Sequence, residues 1–197
     1  ISGSFRMNER AVYMRYVYAG LSGDANYGLQ AVQSYPGAWL NDFYYNGPRS
    51  LLVADLLAIQ GRKELAREEY QRALAEIRRA KEANPSDTSA SRAELWVLLG
   101  LGQMDEARAA ARKLYEQQSR PFWPVYTVWW HHVIPAELLS GNRKEALELM
   151  KEAAQLPVIR DQMRVAMKID PRMAPFRDDP EIQAILAEPT AAKPPQR

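Results

Sequence analysis

The segment Leu51–Ala83, LLVADLLAIQGRKELAREEYQRALAEIRRAKEA, decides the fold. An apolar run ends at Gln60-Gly61, and beyond it Leu65, Ala66, Tyr70, Ala73, Leu74 and Ile77 recur at three- and four-residue spacing. That spacing puts them on one face of an amphipathic helix. The segment reads as two helices folded back on each other at Gly61. Ala66 and Ala73 are small enough to let the pair approach closely, and Tyr70 fills the space between them.

The same unit recurs on both sides. Four stretches align: SGDANYGLQAV from Ser22, QGRKELAREEY from Gln60, LGQMDEARAAA from Leu101 and SGNRKEALELM from Ser140. Their glycines, Gly23, Gly61, Gly102 and Gly141, lie 38, 41 and 39 residues apart. Each follows an apolar helical run, and a small residue falls five positions later: Gly28, Ala66, Ala107 and Ala146. Glycine reaches positive φ at a tight bend without steric cost. The small residue then lets the second helix lie against the first.

The rest follows from breakers and caps. Helices are predicted over Asn8–Leu21 and Asn26–Ser34, the second ended by Pro36-Gly37. Ala38–Tyr45, with Trp39, Phe43, Tyr44 and Tyr45, reads as a short helix or a packed turn. Asn46 is the expected cap of the next helix, with Pro48 in its first turn. The long second helix should stop before Asn84-Pro85, and Ser86 or Asp87 should cap its successor. Asp105–Gln118, Tyr126–Leu139 and Arg143–Gln155 are further helices, with a kink expected at Pro135. Arg120-Pro-Phe-Trp-Pro reads as a rigid linker, and Pro189–Arg197 as a disordered tail.

This pattern resembles the tetratricopeptide repeat. Its second-helix signature is fullest as Ala66, Tyr70 and Ala73, and it recurs as Ala107, Ala111 and Leu114, then as Ala146, Met150 and Ala153. The family's usual period is about 34 residues, so these units are longer. Ile169–Leu186, with Asp170-Pro171 and Asp179-Pro180, resembles the terminal segment that follows such repeats in multidomain bacterial signalling proteins. The resemblance implies an all-α, right-handed solenoid of antiparallel helix pairs occupying residues 1–188. Repeats would cover 8–36, 38–84, 86–119 and 122–156, and 157–188 would cap the stack, since an end repeat must cover an apolar face.

Composition narrows the function. The 197 residues carry 26 basic and 24 acidic side chains, spread without a dense basic block, so no nucleic-acid partner is expected. Arg78, Arg79 and Lys81 come nearest, but Glu76 and Glu82 dilute them. The chain has no cysteine, which leaves no disulfide framework or thiolate metal site and suits the cytoplasm. The longest apolar runs fall short of a membrane span. No secretory leader is expected, because Arg6, Glu9 and Arg10 precede any hydrophobic run. Ile1-Ser2-Gly3-Ser4 lacks a starting Met, so either a piece of a larger protein or a foreign leading segment is expected.

No catalytic constellation stands out, and neither an enzyme nor a cofactor is expected. His131 and His132, the two histidines, point about 100° apart on a helix and cannot chelate one metal from one face. Gly100-Leu101-Gly102 follows a helix and lacks the Lys-Ser/Thr of a phosphate loop. Asp178 and Asp179 flank a proline and read as turn and cap residues.

In tetratricopeptide arrays the first helix of each pair builds the concave face. The resemblance therefore implies that Tyr13, Asp55, Arg92, Trp96 and His131 project toward a binding groove for a protein or peptide. A non-catalytic scaffold in a bacterial signalling or regulatory protein is the leading expectation. Two alternatives are a homodimerisation module and a small-molecule sensor with a pocket lined by Trp123, Tyr126, Trp129 and Trp130.

Overall fold

The computed structural model describes residues 8–42, 44–85, 88–117 and 133–187, and 79% of them are helical. The chain divides into two compact units, 1–110 and 111–197.

In the first unit α1 (Glu9–Ser22) and α2 (Ala25–Ser34) form a pair, then α3 (Arg49–Ile59) and α4 (Lys63–Ala83), with α5 (Thr88–Leu101) packed on α4. Helix α6 (Met104–Gln117) follows the bend at Gly102. The four aligned glycines all have positive φ, between 73° and 81°, and are the only described residues that do. At three of them the bend is closed by the same two hydrogen bonds. Gly61 N donates to Ala58 O and Arg62 N to Leu57 O, and the pattern repeats at Gly102 and Gly141. Such a pair of bonds satisfies carbonyls that the end of a helix would otherwise leave open.

The small residues beyond the bends are buried, with Ala66 at 4% exposure and Ala107 and Ala146 at 0%. At Gly28 an added Cβ would stand 2.5 Å from the Ala19 Cβ, so α1 and α2 pack closer than any side chain permits. On α4 the buried stripe is Ala66, Tyr70, Ala73, Leu74 and Ile77. Leu65, expected on that stripe, is 41% exposed. It lies one position before Ala66, at the edge of a face that the neighbouring helices do not cover that far round.

Residues 39–48 differ from expectation. They form a two-stranded antiparallel ribbon, β1 (Trp39–Asn41) and β2 (Asn46–Pro48), pairing Trp39 with Pro48, Leu40 with Gly47 and Asn41 with Asn46. Asn46 therefore does not cap α3. Its side chain accepts from the Trp39 indole at 2.7 Å and donates to Asn41 at 3.1 Å. The N-cap of α3 is Pro48, which makes no side-chain capping bond. Elsewhere Asn8 caps α1, accepting from Ala11 N at 2.8 Å.

The second unit contains α7 (Ile134–Leu139), α8 (Arg143–Ala153), α9 (Pro157–Ile169), a 3-10 turn over Pro171–Phe176, and α10 (Pro180–Ala187). Pro135 sits at the start of α7, which follows directly on helical backbone at Val133. Asp179 is a cap as expected, its Oδ1 accepting from Glu181 N at 3.0 Å and Ile182 N at 3.2 Å. The core of this unit is rich in methionine: Met150, Met163, Met167 and Met173 pack with Ile159 and Ile182. The Ser86 and Asp87 caps, Phe43, the aromatics Trp123, Tyr126, Trp129 and Trp130, and the 189–197 tail lie outside the described residues. Among the described residues no helix is long and apolar enough to cross a membrane.

Candidate functional site

The first unit gathers tyrosines around one buried carboxylate. Asp55, in the middle of α3, is 1% exposed. Its Oδ2 accepts from the Tyr16 hydroxyl at 2.8 Å and its Oδ1 from the Tyr70 hydroxyl at 2.5 Å. Tyr16 comes from α1 and Tyr70 from α4, so one carboxylate ties three helices together. A buried charge is costly unless hydrogen bonds satisfy it, and two phenol donors do much of that here.

Tyr70 reaches Asp55 because α5 offers it no obstacle. A Cβ placed on Gly100 would lie 2.4 Å from the Tyr70 ring. On the other side, Tyr13 of α1 stacks on Tyr16 and on Tyr45, with ring centres 5.8 and 5.5 Å apart. Tyr45, from the turn of the ribbon, meets Trp96 of α5 edge-on at 6.5 Å and donates its hydroxyl to Pro48 O at 2.6 Å. Offset and edge-on aromatic pairs of this kind exceed simple area burial in strength.

The site carries a negative field. The Tyr13 hydroxyl is pushed up to about 12, first by burial and then by the carboxylates of Asp55 and Asp42. Burial, with Asp55 second, drives Tyr45 well above the ordinary tyrosine range. At the rim Arg10 grips Asp42 with Nε at 3.0 and 2.8 Å, and its guanidinium lies 4.8 Å from the centre of the Tyr44 ring.

Of the five residues expected at the groove, Tyr13, Asp55 and Trp96 are brought together about Tyr45. Tyr13 and Trp96 are half-buried, whereas Asp55 is enclosed and holds the tyrosines in place. Arg92 is half-buried one turn before Trp96 on α5, with Nη2 at 3.3 Å from the Ser89 hydroxyl. His131 lies outside the described residues. Sequence reasoning missed Tyr16 and the part played by Gly100, whereas Tyr45 was among the aromatics of 38–45 expected in a packed turn. Tyr16 was within reach, three positions from Tyr13 on the same helix face. Nothing local marks Gly100.

The arrangement offers aromatic surface and hydroxyls fixed by the Asp55 carboxylate. Among the described residues no group of three or more His, Cys, Asp or Glu side chains could hold a metal ion. The chain matches no protein-family model, and no curated protein or solved structure is significantly similar to it.

Proposed function

We propose that this chain is a tetratricopeptide-like, non-catalytic module that binds a protein or peptide on the face made by α1, α3 and α5. The supporting observation is the convergence of half-buried Tyr13, Tyr16 and Trp96 on the buried Asp55–Tyr45 support. Binding hot spots favour Tyr, Trp and Arg held rigidly against a packed base. A surface whose rings are already stacked and hydrogen-bonded loses little side-chain freedom when a ligand arrives. The natural ligand of such a face is an extended or helical peptide, and the wider setting is a bacterial signalling or regulatory protein.

A peptide array screened with the isolated chain tests this reading. Arg92→Ala combined with Trp96→Ala should weaken the selected peptides at least tenfold while circular dichroism stays unchanged. Selected peptides that bind the double variant equally well would overturn it.

A second reading, self-association, has its own observation. Met14, Tyr18 and Leu21 on α1 and Tyr27 on α2 are 42%, 58%, 53% and 39% exposed. They form an apolar patch of a kind that marks interaction sites. Light scattering over a concentration range, with Tyr18→Glu as the control, separates a dimer from a monomeric peptide binder.

A further inference from the structure

The other side of α3 borders a cleft of about 130 Å³, where the end of α2, the ribbon, the start of α3 and the middle of α4 meet. Val53, which lines it, stands two positions before Asp55, about 200° away around the helix axis. The cleft and the tyrosine cluster thus use opposite sides of one helix, and the inference that follows is independent of the peptide reading.

Val53 and Ser50, 7% and 4% exposed, form the floor. Glu69, Arg72 and Glu76 project from α4 at spacings of three and four, which place them on one face. Arg49 closes the cleft from the first turn of α3. The charges are already partly engaged. Glu76 Oε2 accepts from the Ser50 hydroxyl at 2.7 Å, and Arg72 Nη1 stands 3.1 Å from Glu69 Oε1. Arg49 Nη1 donates to the Tyr35 carbonyl, which fixes the guanidinium while using one of its five donors.

Two guanidinium groups and two carboxylates share this space. A simple anion entering it would meet Glu69 and Glu76, and a simple cation would meet Arg49 and Arg72. A molecule carrying both signs close together can instead meet a group of the opposite sign at each end. The volume is close to the ~150 Å³ of a cavity that takes a six-carbon ring, so an occupant of about six non-hydrogen atoms fits within it.

We propose that this cleft binds a small zwitterion of the α-amino acid class. Its carboxylate faces Arg49 and Arg72, and its ammonium group faces Glu69, while Glu76 keeps the Ser50 hydroxyl. Planar guanidinium groups suit a carboxylate through paired hydrogen bonds. The Arg72–Glu69 pair that must open is exposed on the arginine side, 63%, and such pairs are weak, so exchanging it for ligand contacts is cheap.

Calorimetric titration with L-alanine tests the proposal, with acetate and ethylammonium as probes that each carry one of the two charges. L-Alanine should bind saturably, and each half-charged probe at least tenfold more weakly. Arg72→Gln, at a largely exposed position, should weaken L-alanine at least tenfold without changing helicity, and Glu69→Gln should do the same. Absence of saturable L-alanine binding would overturn the proposal. So would equal binding of acetate or ethylammonium, or an Arg72→Gln variant that binds like the parent chain.

Discussion

Gly100 lacks a side chain at the point where Tyr70 occupies the space. Gly100→Ala should cost about 1–3 kcal/mol, the usual range for overpacking a filled site, despite alanine's better helix propensity. In a Tyr70→Leu background the same change should cost clearly less, because contacting residues are energetically coupled. Urea denaturation of the four variants measures this, and equal costs in both backgrounds would clear the ring of responsibility. Tyr70→Phe should itself cost about 1–3 kcal/mol, since it removes a hydroxyl donor from a buried carboxylate. Tyr13 makes a prediction in pH. Its hydroxyl is raised from 10.0 to about 12, so the folded state favours the neutral phenol. The stability this contributes is complete below the unfolded value and is lost as pH rises toward the folded one. Alkaline unfolding, followed by ellipticity and phenolate absorbance together, should start above about pH 10 and shift upward in Tyr13→Phe.

The element that organises the chain is the glycine bend. Gly61, Gly102 and Gly141 each combine positive φ with a pair of closing hydrogen bonds, so an L-residue there is strained even where space is open. Gly102→Ala should cost about 1–2 kcal/mol, the penalty of left-handed backbone for a residue with a Cβ. A thermal melt of that variant showing no loss would contradict the strained bend. Ala66→Leu should cost about 1–3 kcal/mol for a different reason, because a larger side chain has no room between α3 and α4. The ribbon at 39–48 shows the limit of element-level reading. Asn46-Gly47-Pro48 has turn and cap chemistry by every local rule, yet it pairs as a strand. Strand propensity reports how a residue fits its neighbours more than any intrinsic preference, and those neighbours are Trp39, Leu40 and Asn41.

At the scale of the whole molecule, the chain divides into two compact units between Ala110 and Ala111. In the second unit Arg143 holds the first turn of α10, donating to Asp179 at 2.8 Å and to Glu181 at 2.7 Å. Hydrogen bonds from Arg143 are the largest cause of the lowered Asp179 and Glu181 carboxyls. Groups depressed in the folded state contribute stability above their ordinary range, and it is lost as pH falls through the lowered values. The acid limb of the stability profile should therefore flatten in Arg143→Ala. An unchanged acid limb would show that the fork contributes nothing, as exposed pairs often do.

The sequence by itself determined most of the helices, the bends at Gly61, Gly102 and Gly141, and the buried stripe of α4 apart from Leu65. These are local properties: amphipathic period, positive φ and the small residue five positions on are all set within one turn of chain. Only the tertiary structure decided that Tyr16 and Tyr70, 39 and 15 residues from Asp55, would share its carboxylate. It also decided that Gly100 would be the surface on which Tyr70 rests, and that Arg49 would meet Arg72, Glu69 and Glu76 across a cleft. Such meetings depend on how far each helix is rotated when it stacks on the next. Rotation is set by packing of side chains distant in sequence, and no single segment carries it.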